Sequence, residues 1–252
     1  NKLLKKNIMI DLSADFRLKN PKIYNKYYGI KHKSLDNLKK SVYGLSEINK
    51  KNLSKAKIIA CPGCYPTSIL LPLFPLIKKN LIDFKNIIID SKSGFSGAGR
   101  GVHKKFKNKN LYGSTSAYGI GSHRHNAEIQ QELSYIKKSI EFTFTPHILP
   151  MFRGILSTIY LNYKSKANLN KIYNELRRFY MSHKFIKILK NKALSTNDVI
   201  NTNNCQISVC KSKDKKKLII LSSIDNLIKG GAGQAIQNLN LIFNFKLNEG
   251  LK

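Results

Sequence analysis

The sequence has little of what would mark a membrane-spanning or secreted protein. It holds no tryptophan and only four cysteines, at positions 61, 64, 205 and 210, among 252 residues. Its longest apolar run, residues 68–77, is too short to span a bilayer and is interrupted by Pro72 and Pro75. The first residues do not have the layout of a secretory signal. We therefore expect a soluble, cytoplasmic protein whose cysteines are reduced thiols.

Acidic residues are also scarce, and the cations are mostly of one kind. Fourteen Asp and Glu residues stand against 45 Lys and Arg residues, which gives a formal net charge of +31. Only six of these cations are Arg, whereas proteins that read nucleic acid usually rely on Arg for bidentate contacts. We interpret the excess Lys as solvated surface, and a functional basic surface is the alternative.

Because Arg is rare, its positions are informative. Arg17, Arg100, Arg124 and Arg153 fall in segments that otherwise look like sites. The planar guanidinium grips carboxylate or phosphate in a way that Lys does not, so these residues are candidates for anion binding. Chance placement is the alternative for a sample this small.

The apolar pattern predicts two kinds of architecture along the chain. Buried strands at 8–12 and 56–60 with intervening helices indicate a parallel α/β sheet, and residues 20–45 look irregular. A helix should begin near Pro66, and Pro72 and Pro75 should kink or break it. The remainder has an α+β pattern with antiparallel strands. Its predicted strands lie at 86–91, 141–145, 154–163, 206–210 and 218–223, and its predicted helices at 127–138, 169–182 and 230–245.

Cys64 is the best candidate nucleophile in the sequence. It lies between a predicted strand and a predicted helix, directly after Gly63, which allows the sharp turn. A thiol at a helix N-terminus faces unpaired N–H groups that favour the thiolate, which forms thioesters readily. Three alternatives remain: a redox pair with Cys61, a zinc site with Cys205 and Cys210, and a buried structural cysteine. The spacing of the second pair does not suit zinc.

Two further segments could carry chemistry. His123 and His125 offer proton transfer near neutral pH, and Glu128 could orient one of the imidazoles. Surface histidines at a helix start are the alternative. The glycine-rich loop at 93–101 could approach a phosphate or a carboxamide, as could the glycines at 230–233, but a plain tight turn explains either equally well.

Together these segments resemble the N-acetyl-γ-glutamyl-phosphate reductases, which are relatives of aspartate-semialdehyde dehydrogenase. The stretches that carry the resemblance, in chain order, are DLSADFRL (11–18), VYGLSE (42–47), CPGCYPT (61–67), SGFSGAGR (93–100), SHRHNAEI (122–129), FTPHILPMFRGIL (144–156) and DNLIKGGAGQAIQNLNLIF (225–243). The resemblance implies a Rossmann-type parallel-sheet domain and a catalytic domain like that of glyceraldehyde-phosphate dehydrogenase, built on a mixed or antiparallel sheet. We expect the first to comprise residues 1–63 and 226–252, and the second, which also mediates oligomerisation, residues 64–225.

The same resemblance implies NADPH-dependent reduction of N-acetyl-L-glutamyl 5-phosphate to the semialdehyde in arginine biosynthesis, through a cysteine thioester. It further implies a homodimer or homotetramer, without a membrane or nucleic-acid partner and without a metal. The residues it points to are Cys64 and His123 for catalysis, Arg17, Arg124, His125 and Glu128 for substrate, and Ser13, Ser93, Gly94, Gly97 and Asn226 for the NADP cofactor.

Three departures from the family pattern are visible. Cys61 stands where the family usually has Asn, and Phe152 where a polar residue is more usual. No residue before Asp11 can supply the first βαβ unit with its pyrophosphate loop, so the sequence looks like a fragment, and cofactor binding by these residues alone is in question. Two other functions stay open: reduction of a carrier-linked glutamyl or aminoadipyl phosphate, and nucleic-acid binding on a decayed enzyme fold.

Overall fold

The computed structural model describes residues 4, 6–98, 113–164 and 167–252. Its strands are β1 (Met9–Asp11), β2 (Val42–Tyr43), β3 (Ile58–Ala60), β4 (Ile87–Gly94), β5 (Ser116–Ala117), β6 (Phe142–Leu149), β7 (Ile155–Asn162), β8 (Ile186–Lys190), β9 (Cys205–Lys211) and β10 (Lys217–Ile224). Its α-helices are α1 (Pro21–Tyr28), α2 (Leu35–Lys40), α3 (Ser46–Leu53), α4 (Cys64–Lys78), α5 (His125–Ser134), α6 (Leu169–Tyr180) and α7 (Gly233–Ile242). A single π-helical turn, Ile228–Ala232, leads into α7.

The strands form two sheets, as the resemblance implied. The smaller sheet is parallel, with strand order β1-β3-β2, and the larger has seven strands in the order β5-β6-β4-β7-β10-β9-β8. In the larger sheet β4 and β6 run parallel, as do β8 and β9, so this sheet is mixed rather than purely antiparallel. The three parallel strands end at one edge, which is where ligands bind in sheets of this kind.

The segment between β1 and β2 differs from the prediction of irregular structure at 20–45. Helix α1 begins there because the Asn20 side chain accepts hydrogen bonds from the N–H groups of Lys22 and Ile23, while Pro21 occupies the first turn. Gly29 ends the helix in the left-handed conformation, with φ of 72°. The tyrosine-rich composition hid these capping signals.

Helix α4 corrects a second prediction. It runs without a break through Pro72 and Pro75 and ends at Lys78. Each proline removes one intrahelical hydrogen bond, but nearly every residue of this helix is buried under the larger sheet. Burial of that apolar surface outweighs the lost bonds, so packing decides the length of the helix.

The end of the chain returns to the smaller sheet. Leu241 of α7 packs in a cluster with Leu53, Ala56 and Ile59, so α7 covers the parallel strands. Helices α4 and α6 instead pack under the larger sheet in the main core. The proposed division at residues 63/64 and 225/226 stays a prediction. None of the helices in the described part of the chain is long and apolar enough to cross a membrane.

Candidate active site

Cys64 lies on the connection between a strand of the smaller sheet and a helix that packs under the larger sheet. Strand β3 ends at Ala60, Gly63 is the residue before the helix, and Cys64 is the first residue of α4. Burial raises the pKa of the Cys64 thiol to about 11, although the N–H of Tyr65 and the charge of Arg17 oppose the shift. The prediction of a thiolate favoured by the helix start is therefore incomplete. In the resting site desolvation outweighs the dipole, so the thiol needs a base.

Glu128, in α5, holds the backbone immediately before the thiol. Its Oε1 accepts a hydrogen bond from the N–H of Gly63 at 2.7 Å and another from the Tyr43 hydroxyl at 2.7 Å. Its Oε2 makes no hydrogen bond and lies 3.6 Å from Nη1 of Arg17. The sequence suggested that this carboxylate orients an imidazole. The structure directs both of its hydrogen bonds to the turn and to Tyr43 instead.

Arg17 supports the same turn from the other side. Its Nε donates to the carbonyl of Cys61 at 2.7 Å, and its Nη2 donates to the carbonyl of Leu12 at 3.0 Å. Burial alone would lower the pKa of this guanidinium, but the charge of Glu128 raises it above its usual value, so Arg17 stays cationic. It is thus the fixed positive charge of the site.

The two histidines lie among aromatic rings, and one of them contacts the turn that carries Cys64. Their ring centroids are 4.8 Å apart, and both rings meet the Tyr65 ring edge-on. A Cβ placed on Gly63 would lie 2.4 Å from Nε2 of His125, so this imidazole packs directly on the turn that carries Cys64. The rings of Tyr118 and Phe144 also lie against His123.

The two imidazoles differ in their electrostatic environment. Burial lowers the pKa of His125 well below its usual value, and the nearby His123, Arg17 and Arg124 lower it further, so this ring is neutral. Its Nδ1 is buried and has no hydrogen-bond partner. Nδ1 of His123 accepts the backbone N–H of His125 at 3.1 Å, which places the proton of a neutral His123 on Nε2.

The predicted cofactor-side residues form a second cluster. Asn226 accepts a hydrogen bond from the N–H of Gly154 at 2.7 Å and donates one to Ser96 Oγ at 3.1 Å. Gly97 lies against Ser93, because a Cβ there would be 2.8 Å from Ser93 Oγ. Gly94 lies against the backbone of Phe152, because a Cβ placed on Gly94 would be 2.6 Å from the Phe152 carbonyl oxygen. These contacts tie the loop after β4 to the segment before α7.

Other predicted residues lie apart from the thiol. Ser13 is exposed after β1, where its hydroxyl donates to Asp11 Oδ2 at 2.9 Å. Arg124 is exposed, with its guanidinium 5.9 Å from the centroid of the Tyr28 ring. Phe152 is 56% exposed and packs edge-on against Phe95. Arg100 and the glycines at 99 and 101 lie outside the described residues.

All four cysteines are free thiols. Cys61 is buried, with Asn238 Nδ2 3.7 Å from its sulfur, and burial raises the pKa of this thiol to about 11. Neither a redox bridge to Cys64 nor a zinc site built from the four cysteines is formed: the described residues contain no group of three or more His, Cys, Asp or Glu that could hold a metal ion.

Sequence reasoning missed a buried ionic network under the site. Lys229 Nζ, fully buried in the π-turn, donates to Glu47 Oε1 at 2.5 Å and to Gln237 Oε1 at 2.8 Å. Gln237 in turn donates to Glu47 Oε1 at 2.8 Å. A Lys within the apolar stretch that precedes two glycines was the available signal, since Lys is almost never fully buried unless paired.

Similar proteins decide the family. Residues 64–226 match the model of the semialdehyde dehydrogenase dimerisation domain. The chain is 46% identical to N-acetyl-gamma-glutamyl-phosphate reductase of Campylobacter jejuni subsp. doylei, over 99% of this chain and 74% of that protein. It is 46% identical to the protein of the same name from Alkaliphilus metalliredigens, over 97% of this chain and 71% of that protein. The chain belongs to the N-acetyl-gamma-glutamyl-phosphate reductase family.

Solved structures extend the likeness to the fold of this family. Aspartate semialdehyde dehydrogenase II of Vibrio cholerae, in complex with ASA, aligns with a TM-score of 0.64 over 84% of this chain and 70% of that chain, at 14% identity. A structure described as a probable aspartate-semialdehyde dehydrogenase, from Pseudomonas aeruginosa, aligns with a TM-score of 0.66 over 81% of this chain and 69% of that chain, at 16% identity. The expected pairing of a parallel-sheet domain with a mixed-sheet domain is confirmed.

Proposed function

We propose that this reductase-family chain reduces N-acetyl-L-glutamyl 5-phosphate to N-acetyl-L-glutamate 5-semialdehyde and phosphate, through a thioester on Cys64 and with NADPH. The observation that carries the proposal is the placement of Cys64 at the start of α4, directly after the turn on which His125 packs and within reach of the charges of Arg17 and Glu128. The names of the relatives supply the substrate.

The residues at the parallel-sheet edge fit a nicotinamide cofactor. At the carboxyl end of β1, Leu12 is 51% exposed next to the exposed Ser13, which leaves an apolar and a polar side chain uncovered in the usual ligand crevice. Ser13 would contact the cofactor on that side, and Ser93, Gly94, Gly97 and Asn226 on the side of the larger sheet. The bound cofactor supplies the hydride that reduces the thioester.

In the first chemical step the Cys64 sulfur attacks the acyl carbon of the substrate. Neutral His125, whose Nε2 faces the turn that carries Cys64, takes the thiol proton. As the carbon–sulfur bond forms, the bond from carbon to the phosphate oxygen breaks and phosphate leaves. Arg17 supplies positive charge beside the anionic substrate, and the N–H groups at the start of α4 add to it.

In the second step the negative charge on the oxygen of the reduced thioester must be stabilised. A neutral His123 carries its proton on Nε2, because Nδ1 accepts a backbone hydrogen bond. It therefore serves as the hydrogen-bond donor to this oxyanion. As the carbonyl re-forms, the carbon–sulfur bond breaks and the aldehyde leaves, and the Cys64 thiolate regains from His125 the proton that it gave up in the first step.

Replacing the nucleophile tests the mechanism in the full-length protein. Phosphate-dependent reduction of NADP by N-acetyl-L-glutamate semialdehyde should fall by at least about 10⁴-fold in Cys64→Ser, because a hydroxyl is a far poorer nucleophile here. Cys210→Ser, a half-buried thiol on β9 and outside the site, is the matched control and should keep wild-type turnover. Turnover in Cys64→Ser equal to the control would end the covalent mechanism, and semialdehydes of carrier-linked glutamate or aminoadipate, offered as competitors, test the neighbouring substrates.

We also infer that the enzyme works as a homo-oligomer in the cytoplasm, a dimer or a tetramer. The matched dimerisation domain includes β4 and β7, and on the side of these strands away from α4 Ile88 and Tyr160 are 49% and 40% exposed. Free thiols at all four cysteines suit a reducing compartment. Light scattering should give a mass above that of one chain, and Tyr160→Asp should lower it; a monomeric wild type would overturn the inference.

A further inference from the structure

The π-turn at Ile228–Ala232 forms a wall against the nucleophile. A Cβ placed on Gly230 would lie 2.7 Å from the Cβ of Cys64 and 3.1 Å from its Cα. Side-chain carbons do not approach so closely, so the backbone of residue 230 rests on Cys64 in a way that only glycine permits. This contact limits where the sulfur can lie.

The start of the turn is fixed by Asp225, which is fully buried. Its Oδ1 accepts the N–H groups of Leu227 and Ile228 at 2.8 and 3.1 Å, and its carbonyl accepts the N–H of Gly230 at 2.9 Å. Its Oδ2 lies 3.2 Å from Nη1 of Arg153. The Asp225 carboxylate, which precedes the turn, therefore fixes the position where the turn begins.

The middle of the turn is fixed by Lys229 from the opposite side. This ammonium is paired with Glu47 of α3 and bound by Gln237 of α7, and none of it reaches solvent. A buried ion pair is a poor way to gain stability, since apolar residues of similar volume often do better. What it does provide here is a defined position for the residue next to Gly230. Single π-turns of this kind occur frequently at functional sites.

We propose that Lys229 is a positioning residue for catalysis: by anchoring the π-turn to Glu47, it presses Gly230 against Cys64 and holds the sulfur in line for attack. The proposal rests on the function assigned to Cys64 above. Lys229 itself touches neither substrate nor cofactor. A displacement of about 1 Å at a reacting atom can cost about 100-fold in rate, so a small shift of this wall is enough to matter.

The test uses Gly230→Ala, with Ala232→Ser as the control that adds one heavy atom at an exposed position of the same turn. In Gly230→Ala we expect kcat to fall by about 100-fold with KM within about threefold, because positioning acts on the chemical step. The rate of Cys64 alkylation by iodoacetamide, followed by mass spectrometry, should change by at least about fivefold, while Cys210 in the same molecules reacts as before. A folded Gly230→Ala protein with wild-type kcat and Cys64 alkylation would overturn the proposal.

A second variant keeps the test decisive if Gly230→Ala does not fold. Glu47→Gln preserves the shape of the anchor but removes its charge, and kcat should fall by about tenfold at unchanged KM, with a changed Cys64 alkylation rate. A folded Glu47→Gln protein with wild-type kcat and a wild-type rate of Cys64 alkylation would contradict the positioning role of Lys229. Because alkylation needs no substrate, a wild type without semialdehyde turnover would refute the proposed function while the comparison of alkylation rates still reports on the wall.

Discussion

Two buried carboxylates, Glu47 and Glu128, are paired with their cations at different distances. Glu47 meets the ammonium of Lys229 at 2.5 Å and is closed off from solvent. Glu128 accepts hydrogen bonds from two neutral donors, a hydroxyl and a backbone N–H, and its cation, Arg17, lies 3.6 Å away. The first pair is neutralised within hydrogen-bond distance, whereas the second retains a charge separation next to the thiol.

From this difference we infer that Glu47 has a structural role and that Glu128 acts on the reaction. A charge paired at hydrogen-bond distance acts less on its surroundings than a charge held apart from its partner, so we expect Glu47 and Lys229 to act by fixing geometry. A charge pair held slightly open in a low-dielectric site still acts on a neighbouring thiol and an incoming acyl phosphate. We expect substitutions at the two carboxylates to separate accordingly: stability should depend mainly on Glu47 and turnover directly on Glu128.

The largest effect on stability should come from removing one partner of the Glu47–Lys229 pair. Lys229→Met should lower the free energy of unfolding by about 3–5 kcal/mol, because it leaves the buried Glu47 charge uncompensated. The double variant Lys229→Met/Glu47→Met should recover part of that loss, since both charges are gone. Urea titration of wild type, the single variant and the double variant measures these free energies. A single variant as stable as the double variant would show that Lys229 does not compensate the charge of Glu47.

At the Glu128–Arg17 pair we expect a smaller effect on stability and a direct effect on turnover. Glu128→Gln should lower kcat by about 10- to 100-fold while the unfolding free energy changes by only about 1 kcal/mol, because the amide oxygen can still accept from Gly63. Tyr43→Phe removes one bond to the same oxygen and keeps the charge, so its kcat should stay closer to wild type. Equal losses of kcat in both variants would show that the charge of Glu128 is not needed.

The smallest effect is an acid sensitivity that belongs to Glu47. Burial alone would raise the pKa of this carboxyl, but Lys229 and the hydrogen bonds from Lys229 and Gln237 lower it below its usual 4.5. A depressed pKa stabilises the fold above the unfolded-state value, and that stability is lost as pH falls through the folded-state value. The unfolding free energy of wild type should therefore drop below about pH 4.5 more than that of Lys229→Met/Glu47→Met. If the unfolding free energies of the two proteins fall in parallel as the pH is lowered, groups other than Glu47 cause the loss of stability in acid.

The sequence was sufficient for the elements with strong apolar patterns and for the grouping of the site. The strands around residues 58–60 and 155–162 and the helix at 169–180 follow their predicted positions closely. The run of helix through Pro72 could not be predicted, because it depends on burial under a distant sheet. The two helices between β1 and β2 were missed, although Asn20 and Pro21 carried the capping signal for α1.

The electrostatics of the site were the least accessible part from sequence. A helix start predicted a stabilised thiolate at Cys64, and only the surrounding packing shows that desolvation prevails there. The pairing of Lys229 with Glu47 joins residues 182 positions apart, which no local pattern encodes. Charge pairing between such distant segments is set by the tertiary fold, so it becomes visible only when both elements are in place.

That long separation also bears on how the protein is made. Cys64 and its turn leave the ribosome well before residue 230, but the surface that limits the position of its sulfur belongs to residue 230 and is held in place by α7. During synthesis the chain therefore carries a thiol that lacks its final support until α7 has emerged and docked. Such late, non-local closure slows folding. It also means that a ribosome stalled before residue 230 releases a chain whose nucleophile has never been set in place.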